Sequence, residues 1–144
     1  MNPLKQLGAC GQSPWLDYVR RGLIRNGELE TLITRDGVTG VTSNPSIFQK
    51  AIGESDEYLR DYPAAQRAGD GSPLAVYEYL AVGDIQEAAD ALRPVYDATG
   101  ARDGYVSLEC SPYLAHDTDA TIAEARRLWK MVNRPNLLVK VPGP

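Results

Sequence analysis

Four short apolar runs alternate with helical stretches along this chain, and that alternation restricts its fold more than any other feature. The runs occupy residues 13–18, 38–43, 105–110 and 137–141, each enriched in β-branched, aromatic or leucine residues and bounded by Pro, Gly or Asn. Residues 18–24 and 28–33 read as short helical turns after the first run. Asn44-Pro45 ends the second run, because the residue before proline avoids the α region and proline starts a helix well, so a helix begins at Ser46. A further helix is expected over 55–68. From Leu74, the residues Tyr77, Leu80, Ala81, Ile85, Ala88, Ala89, Leu92, Val95 and Tyr96 recur at three- and four-residue spacing, the mark of an amphipathic helix. Gly83-Asp84 reads as a break in it, with Asp84 and Glu87 as a capping pair and Pro94 as a kink. The last helix, 118–132, is capped by Asp117 or Thr118. Its expected buried face is Ile122, Ala125, Leu128, Trp129 and Val132, with Glu124, Arg126 and Lys130 in solvent. Strand and helix in strict alternation specify a parallel α/β sheet with right-handed crossovers.

The final run, Leu137-Leu138-Val139-Lys140-Val141, sets a lysine in a strand that reads as buried on both faces. An ammonium in such a place must be paired, reach solvent with its head, or lose its proton, and the last option makes the amine nucleophilic. Asp17, Asn44, Glu109 and Lys140 each fall at the carboxyl end of one run. Polar residues from several strand ends on one face are what the active site of a (β/α) barrel leaves in a sequence. Taken singly, each has an ordinary structural reading: Asp17 a helix cap, Asn44 a turn residue before proline, Glu109 and Lys140 solvated strand ends. Ser107 shares the side-chain parity of Glu109 and is a candidate for lining the same cavity. The single histidine, His116, precedes a helix and reads as a structural or surface residue rather than a base.

Composition narrows the function classes. The chain has 144 residues, read as one domain over 1–144, with 43% hydrophobic and 24% charged residues, enough for a packed core. Fifteen basic against nineteen acidic residues leave a net charge of −4 with no Lys/Arg-rich run, which argues against a nucleic-acid partner. No apolar run approaches the roughly 18 residues of a membrane span, and the first eleven residues lack a charged-then-apolar signal pattern, so a cytoplasmic location away from membranes is expected. Cys10 and Cys110 stand apart, suggesting neither a zinc site nor a disulfide, and Cys110 reads as a small buried hydrophobe.

Gly40-Val41-Thr42-Ser43-Asn44-Pro45-Ser46-Ile47-Phe48 resembles the transaldolase family. The resemblance extends through Trp15-Leu16-Asp17, Val106-Ser107-Leu108-Glu109, Ser111-Pro112-Tyr113-Leu114-Ala115-His116-Asp117-Thr118 and Leu138-Val139-Lys140-Val141-Pro142-Gly143, in the family's order and spacing. It implies a class I aldolase-like (β/α)₈ barrel that moves a dihydroxyacetone unit between sugar phosphates in the pentose phosphate pathway without metal or other cofactor. It also implies catalytic roles for Lys140 as the Schiff-base amine, Asp17 as the acid–base at the bond broken, and Glu109 as a proton shuttle through water. Asn44, with Ser107 beside it, would bind substrate.

Measured against that family, the sequence runs through four strands, whereas a full barrel of this type has eight strands and about 250 residues. The family's phosphate-binding arginine and serine have no counterpart here, Pro144 stands where a hydroxyl residue is usual, and Cys110 where an aliphatic is usual. The expected architecture is therefore a (β/α)₄ half-barrel of one parallel sheet, derived from a TIM barrel. Its open edges and the side chains of Val139 and Val141 would be left to water unless covered. Completion is expected from self-association as a homodimer or higher homo-oligomer, or from a complementary half-barrel chain. The alternative to an active transferase is a catalytically impaired half-barrel with residual aldolase chemistry.

Overall fold

The computed structural model describes residues 2–143, so Pro144 lies outside the described residues. An exposed helix α1 (Pro3–Ala9) precedes β1 (Trp15–Leu16); α2 (Arg21–Arg25), α3 (Glu28–Thr31) and a π turn (Leu32–Asp36) lead to β2 (Gly40–Thr42). Next come α4 (Pro45–Gly53), a 3-10 turn (Asp56–Tyr58), α5 (Tyr62–Ala68), α6 (Pro73–Ala98) and β3 (Tyr105–Glu109). A second 3-10 turn (Pro112–Leu114) and α7 (Thr118–Val132) precede β4 (Leu137–Lys140). Helix starts follow local chemistry: Ser72 accepts from the Ala75 amide at 3.2 Å to cap α6, and Asp117 from the Ala120 amide at 2.9 Å to cap α7.

The four strands form one parallel sheet in the order β1-β2-β3-β4, the α/β arrangement that the alternation specifies. Right-handed crossovers that advance one strand at a time put the connecting helices on one side of the sheet. Register and strand alternation then sort the residues. Val41, Val106 and Leu137 are register partners and are 0%, 0% and 4% exposed, packed with Ile85, Ala88, Ala89 and Leu92 of α6 and Leu128 and Val132 of α7. Residues of the opposite parity, Thr42, Ser107, Glu109, Leu138 and Lys140, occupy the other face. At the turn into β3, Gly104 holds φ 85°, and a β-carbon there would overlap the Tyr96 backbone, so both the conformation and the close approach of α6 require glycine.

Several local expectations are corrected. The run at 137–141 is not buried on both faces: Leu138 is 44% and Val141 58% exposed, whereas Val139 packs against the core. Ile122 and Trp129 are 44% and 51% exposed, since the α7 face that the sheet covers is narrower than the apolar stripe. The stretch 55–68 is a 3-10 turn followed by a shorter helix. Helix α6 is continuous through Gly83-Asp84 and through Pro94. Asp84 is not a cap but a fully buried carboxylate in the middle of the helix. The Arg21 Nε donates to it at 2.8 Å and the Tyr58 hydroxyl at 2.6 Å, while Glu87 pairs instead with Arg25. Arg21 also donates to Asp61 and to the Leu80 carbonyl and stacks on the Tyr58 ring, 4.4 Å from its centroid. Burial pushes the Asp84 carboxyl above its ordinary value, against the downward pull of Tyr58 and Arg21. Burial next to Asp84 also raises the Tyr58 hydroxyl and keeps it a donor.

This cluster ties α2, the first 3-10 turn and α6 together around a buried Arg21–Asp84 pair, where loss of one partner leaves the other uncompensated. Asp84→Asn is expected to lower the unfolding free energy by about 3 kcal/mol, whereas Glu87→Gln, at an exposed pair, lowers it by less than about 1 kcal/mol. Urea titrations of the two variants check this contrast.

Candidate active site

Lys140 and Glu109 are the last residues of β4 and β3 and lie opposite one another in the register. The Lys140 Nζ stands 3.1 Å from Glu109 Oε2, with the two side chains 39% and 24% exposed, so the pair is open to solvent on one side. From β2, the Thr42 Oγ1 accepts a hydrogen bond from Lys140 Nζ at 3.2 Å, and Thr42 Oγ1 is 3.0 Å from Ser107 Oγ. Below them the Ser107 carbonyl accepts from the Ser43 amide at 3.2 Å and the Ser43 hydroxyl at 2.8 Å. Ser43 and Ser107 are 0% and 3% exposed. The Cys110 amide donates to the Lys140 carbonyl at 2.9 Å, fixing the ends of β3 and β4.

The structure brings Lys140, Glu109 and Ser107 of the sequence-derived candidates into one group, Glu109 by its ion pair with Lys140 and Ser107 by hydrogen bonds through Thr42. Ser107 joins through its buried hydroxyl rather than through an exposed surface. Asn44 lies next to the group but spends its Oδ1 on the Ile47 amide at 2.9 Å, capping α4, which leaves its amide N–H groups as the part able to meet a ligand. Asp17 follows β1, is exposed, and lies three strand spacings from β4. It is therefore placed to meet only something that reaches across the strand ends, not Lys140 itself. His116 is exposed. Thr42 is absent from the sequence-derived candidates. Strand alternation, which puts it on the side of Asn44, is the signal that finds it.

Trp15 lies across the start of β2, where a β-carbon on Gly40 would overlap its ring, so glycine permits the indole to cover this end of the open face. Glu109 also forms part of the wall of a cavity of about 340 Å³ between α4, α6 and α7, with Tyr77, Leu108, Pro112 and Tyr113 around it. Burial, reinforced by the Glu78 and Glu109 carboxylates, raises the Tyr77 hydroxyl above its ordinary value and keeps it protonated beside this cavity. An amine ion-paired with a carboxylate, with open space on one side and hydroxyls on the other, can add to a carbonyl while the carboxylate carries protons.

Comparison with known proteins agrees on one family. The sequence model described as Transaldolase/Fructose-6-phosphate aldolase matches residues 14–144. The chain is 51% identical to a transaldolase of Thiobacillus denitrificans, over 99% of this chain and 40% of that protein. It is 47% identical to transaldolase 2 of Nostoc punctiforme, over 99% of this chain and 37% of that protein. With a transaldolase of Thermobifida fusca the identity is 48%, over 99% and 38%. The chain thus spans about 40% of the length of the curated relatives it matches.

The cap that Asn44 provides and the ligand contact expected of its amide are separable by substitution. Asn44→Asp, an equally good cap, is expected to hold stability within about 0.5 kcal/mol, and Asn44→Ala to lower it by about 1 kcal/mol. Chemical denaturation reads the cap, and ligand binding by both variants then reads the lost amide.

Proposed function

The chain belongs to the transaldolase/fructose-6-phosphate aldolase family, and on that premise we propose a transaldolase-type transferase in which Lys140 forms a Schiff base with a ketose phosphate. The observation that carries this reading is the placement of Lys140 Nζ within 3.1 Å of Glu109 and 3.2 Å of Thr42 at the carboxyl ends of three adjacent strands. The neutral amine adds to the ketose carbonyl, and Glu109, through a water, moves the protons that turn the carbinolamine into an iminium with loss of water. Asp17 takes the proton from the hydroxyl on the adjacent bond. That carbon–carbon bond then breaks, and its electron pair moves to the iminium nitrogen. An aldose leaves, an enamine of the three-carbon unit stays on Lys140, and the reverse steps pass that unit to an acceptor aldose. Asn44 holds a substrate hydroxyl in position. The reading places the protein in the pentose phosphate pathway in the cytoplasm.

A second reading concerns how the sheet is completed. Trp129, Leu138 and Val141 are exposed along the β4 side, and Ala125, Trp129, Leu138 and Val139 line an open apolar groove there. An edge strand with such a flank favours pairing, and we propose a homodimer in which two four-stranded sheets close on one another.

Borohydride reduction in the presence of fructose 6-phosphate is expected to leave a mass adduct on Lys140 and none in Lys140→Met; an adduct confined to other lysines sinks the Schiff-base reading. Glu109→Gln is expected to slow formation of that adduct by about 10²-fold or more. Sedimentation equilibrium is expected to give the dimer mass for the wild-type chain and a lighter species for Leu138→Lys. A compact wild-type monomer overturns the second reading.

A further inference from the structure

Hydrogen-bond counting at Lys140 points to a role for the residues beneath it. An ammonium carries donors and no acceptor, so Thr42 Oγ1, at 3.2 Å, accepts from it, while Glu109 Oε2 stands 3.1 Å away as its ion-pair partner. A hydroxyl whose oxygen accepts from lysine sends its own hydrogen elsewhere, and the Ser107 Oγ, 3.0 Å away, is the acceptor in place. Ser107 is 3% exposed, and its carbonyl already holds Ser43 twice, so its position is set by the β2–β3 junction rather than by solvent.

We propose that Thr42 and Ser107 form a two-hydroxyl relay that orients the Lys140 amine and reverses direction with its charge. With the ammonium, the bonds run from Lys140 to Thr42 to Ser107. When Lys140 gives its proton to Glu109, the charged group in contact with it among the described residues, they run from Ser107 to Thr42 to the nitrogen lone pair. No heavy atom moves, because each hydroxyl donates and accepts through the same oxygen. Polarisation along such a chain strengthens each bond, so a buried serine influences an amine that it does not touch. Ser107 is therefore a positioning residue acting through Thr42, not a group in contact with substrate. The relay rests on the reading of Lys140 as a nucleophile only for its catalytic consequence.

The test uses the full chain and no substrate. Trace labelling with acetic anhydride, followed by digestion and mass spectrometry, gives the reactivity of Lys140 relative to Lys5, Lys50 and Lys130 in the same sample. The bond given by the charged ammonium is the stronger of the two directions, so when the chain is weakened the ammonium is less favoured and more free amine is present. Thr42→Val is expected to raise the relative labelling of Lys140 about threefold to tenfold, and Ser107→Ala, which leaves the Thr42 acceptor but takes away the outlet for its hydrogen, by about twofold. Thr42→Ser, which keeps the hydroxyl, is expected to stay at the wild-type value. The double variant Thr42→Val/Ser107→Ala is expected to match Thr42→Val alone, because Ser107 acts only through the Thr42 hydroxyl. Thermal unfolding reports whether each variant is folded. If Ser107→Ala is not, Ser107→Cys, close in size and a far weaker hydrogen-bonding group, carries the same expectation. Wild-type labelling in the serine variant, or effects that multiply in the double variant, overturn the relay. An intact cycle without a borohydride adduct sinks the transaldolase reading instead, so the two failures are distinguishable.

Discussion

Everything at the site depends on one constraint, the register of β4 against β3. Strand side chains alternate, so a slip of one residue would send Lys140 into the helix-covered core and bring Val139 to the open face. Asn136, 1% exposed, holds that register. Its Nδ2 donates to the Ala89 carbonyl of α6 at 2.8 Å and to the Gly104 carbonyl at 2.9 Å, while the Val106 amide donates to the Asn136 carbonyl at 3.0 Å. One side chain thus ties the start of β4 to the long helix and to the turn before β3. Its Oδ1 has no partner among the described residues, a desolvation cost of about 1–3 kcal/mol that the two amide bonds and the surrounding packing must offset.

Two ion pairs in this molecule have opposite physical characters. Arg21 and Asp84 are 4% and 0% exposed, and their bonds are completed by Tyr58, Asp61 and the Leu80 carbonyl, so every charge is satisfied by protein. Such a pair locks geometry. Lys140 and Glu109 are partly solvated, and a pair of that kind contributes at most about 1 kcal/mol to folding. Its weakness suits the chemistry proposed for it, because a reactant can separate the partners without unfolding the sheet. The buried pair lies among the helices and the labile one at the strand ends, which matches the split between a rigid scaffold and a replaceable site.

The parallel sheet, its strand positions and the burial of α6 along Leu80, Ala81, Ile85, Ala88, Ala89 and Leu92 were legible from spacing alone. Continuity of α6 was not. Gly83-Asp84 looks like a stop locally, and only the distant Arg21 and Tyr58 turn Asp84 into a buried anchor. The exposure of Ile122 and Trp129 shows the same limit: periodicity names an apolar stripe, but what covers it depends on neighbours outside the stripe. At the site, Lys140, Glu109 and Asn44 stood out because charged or amide side chains at strand ends are unusual. Thr42 did not, since threonine is an ordinary strand residue and its role comes from a partner ninety-eight positions away.

The bonds that end each element are also the bonds that place the site. The Ser43 amide and hydroxyl close β2 onto β3 through the Ser107 carbonyl, and the Cys110 amide closes β3 onto β4 through the Lys140 carbonyl. Asn44 leaves the sheet and starts α4 with the same side chain. Backbone groups at strand ends would otherwise go unpaired, so the fold must satisfy them whatever the sequence does chemically. Here that requirement is met by residues next to Thr42, Glu109 and Lys140, so these side chains inherit fixed positions from main-chain pairing. A hydroxyl or amide added to this rim therefore needs little further support to become functional. For the same reason, substitutions at the rim should be read first for their effect on strand ends and only then for chemistry.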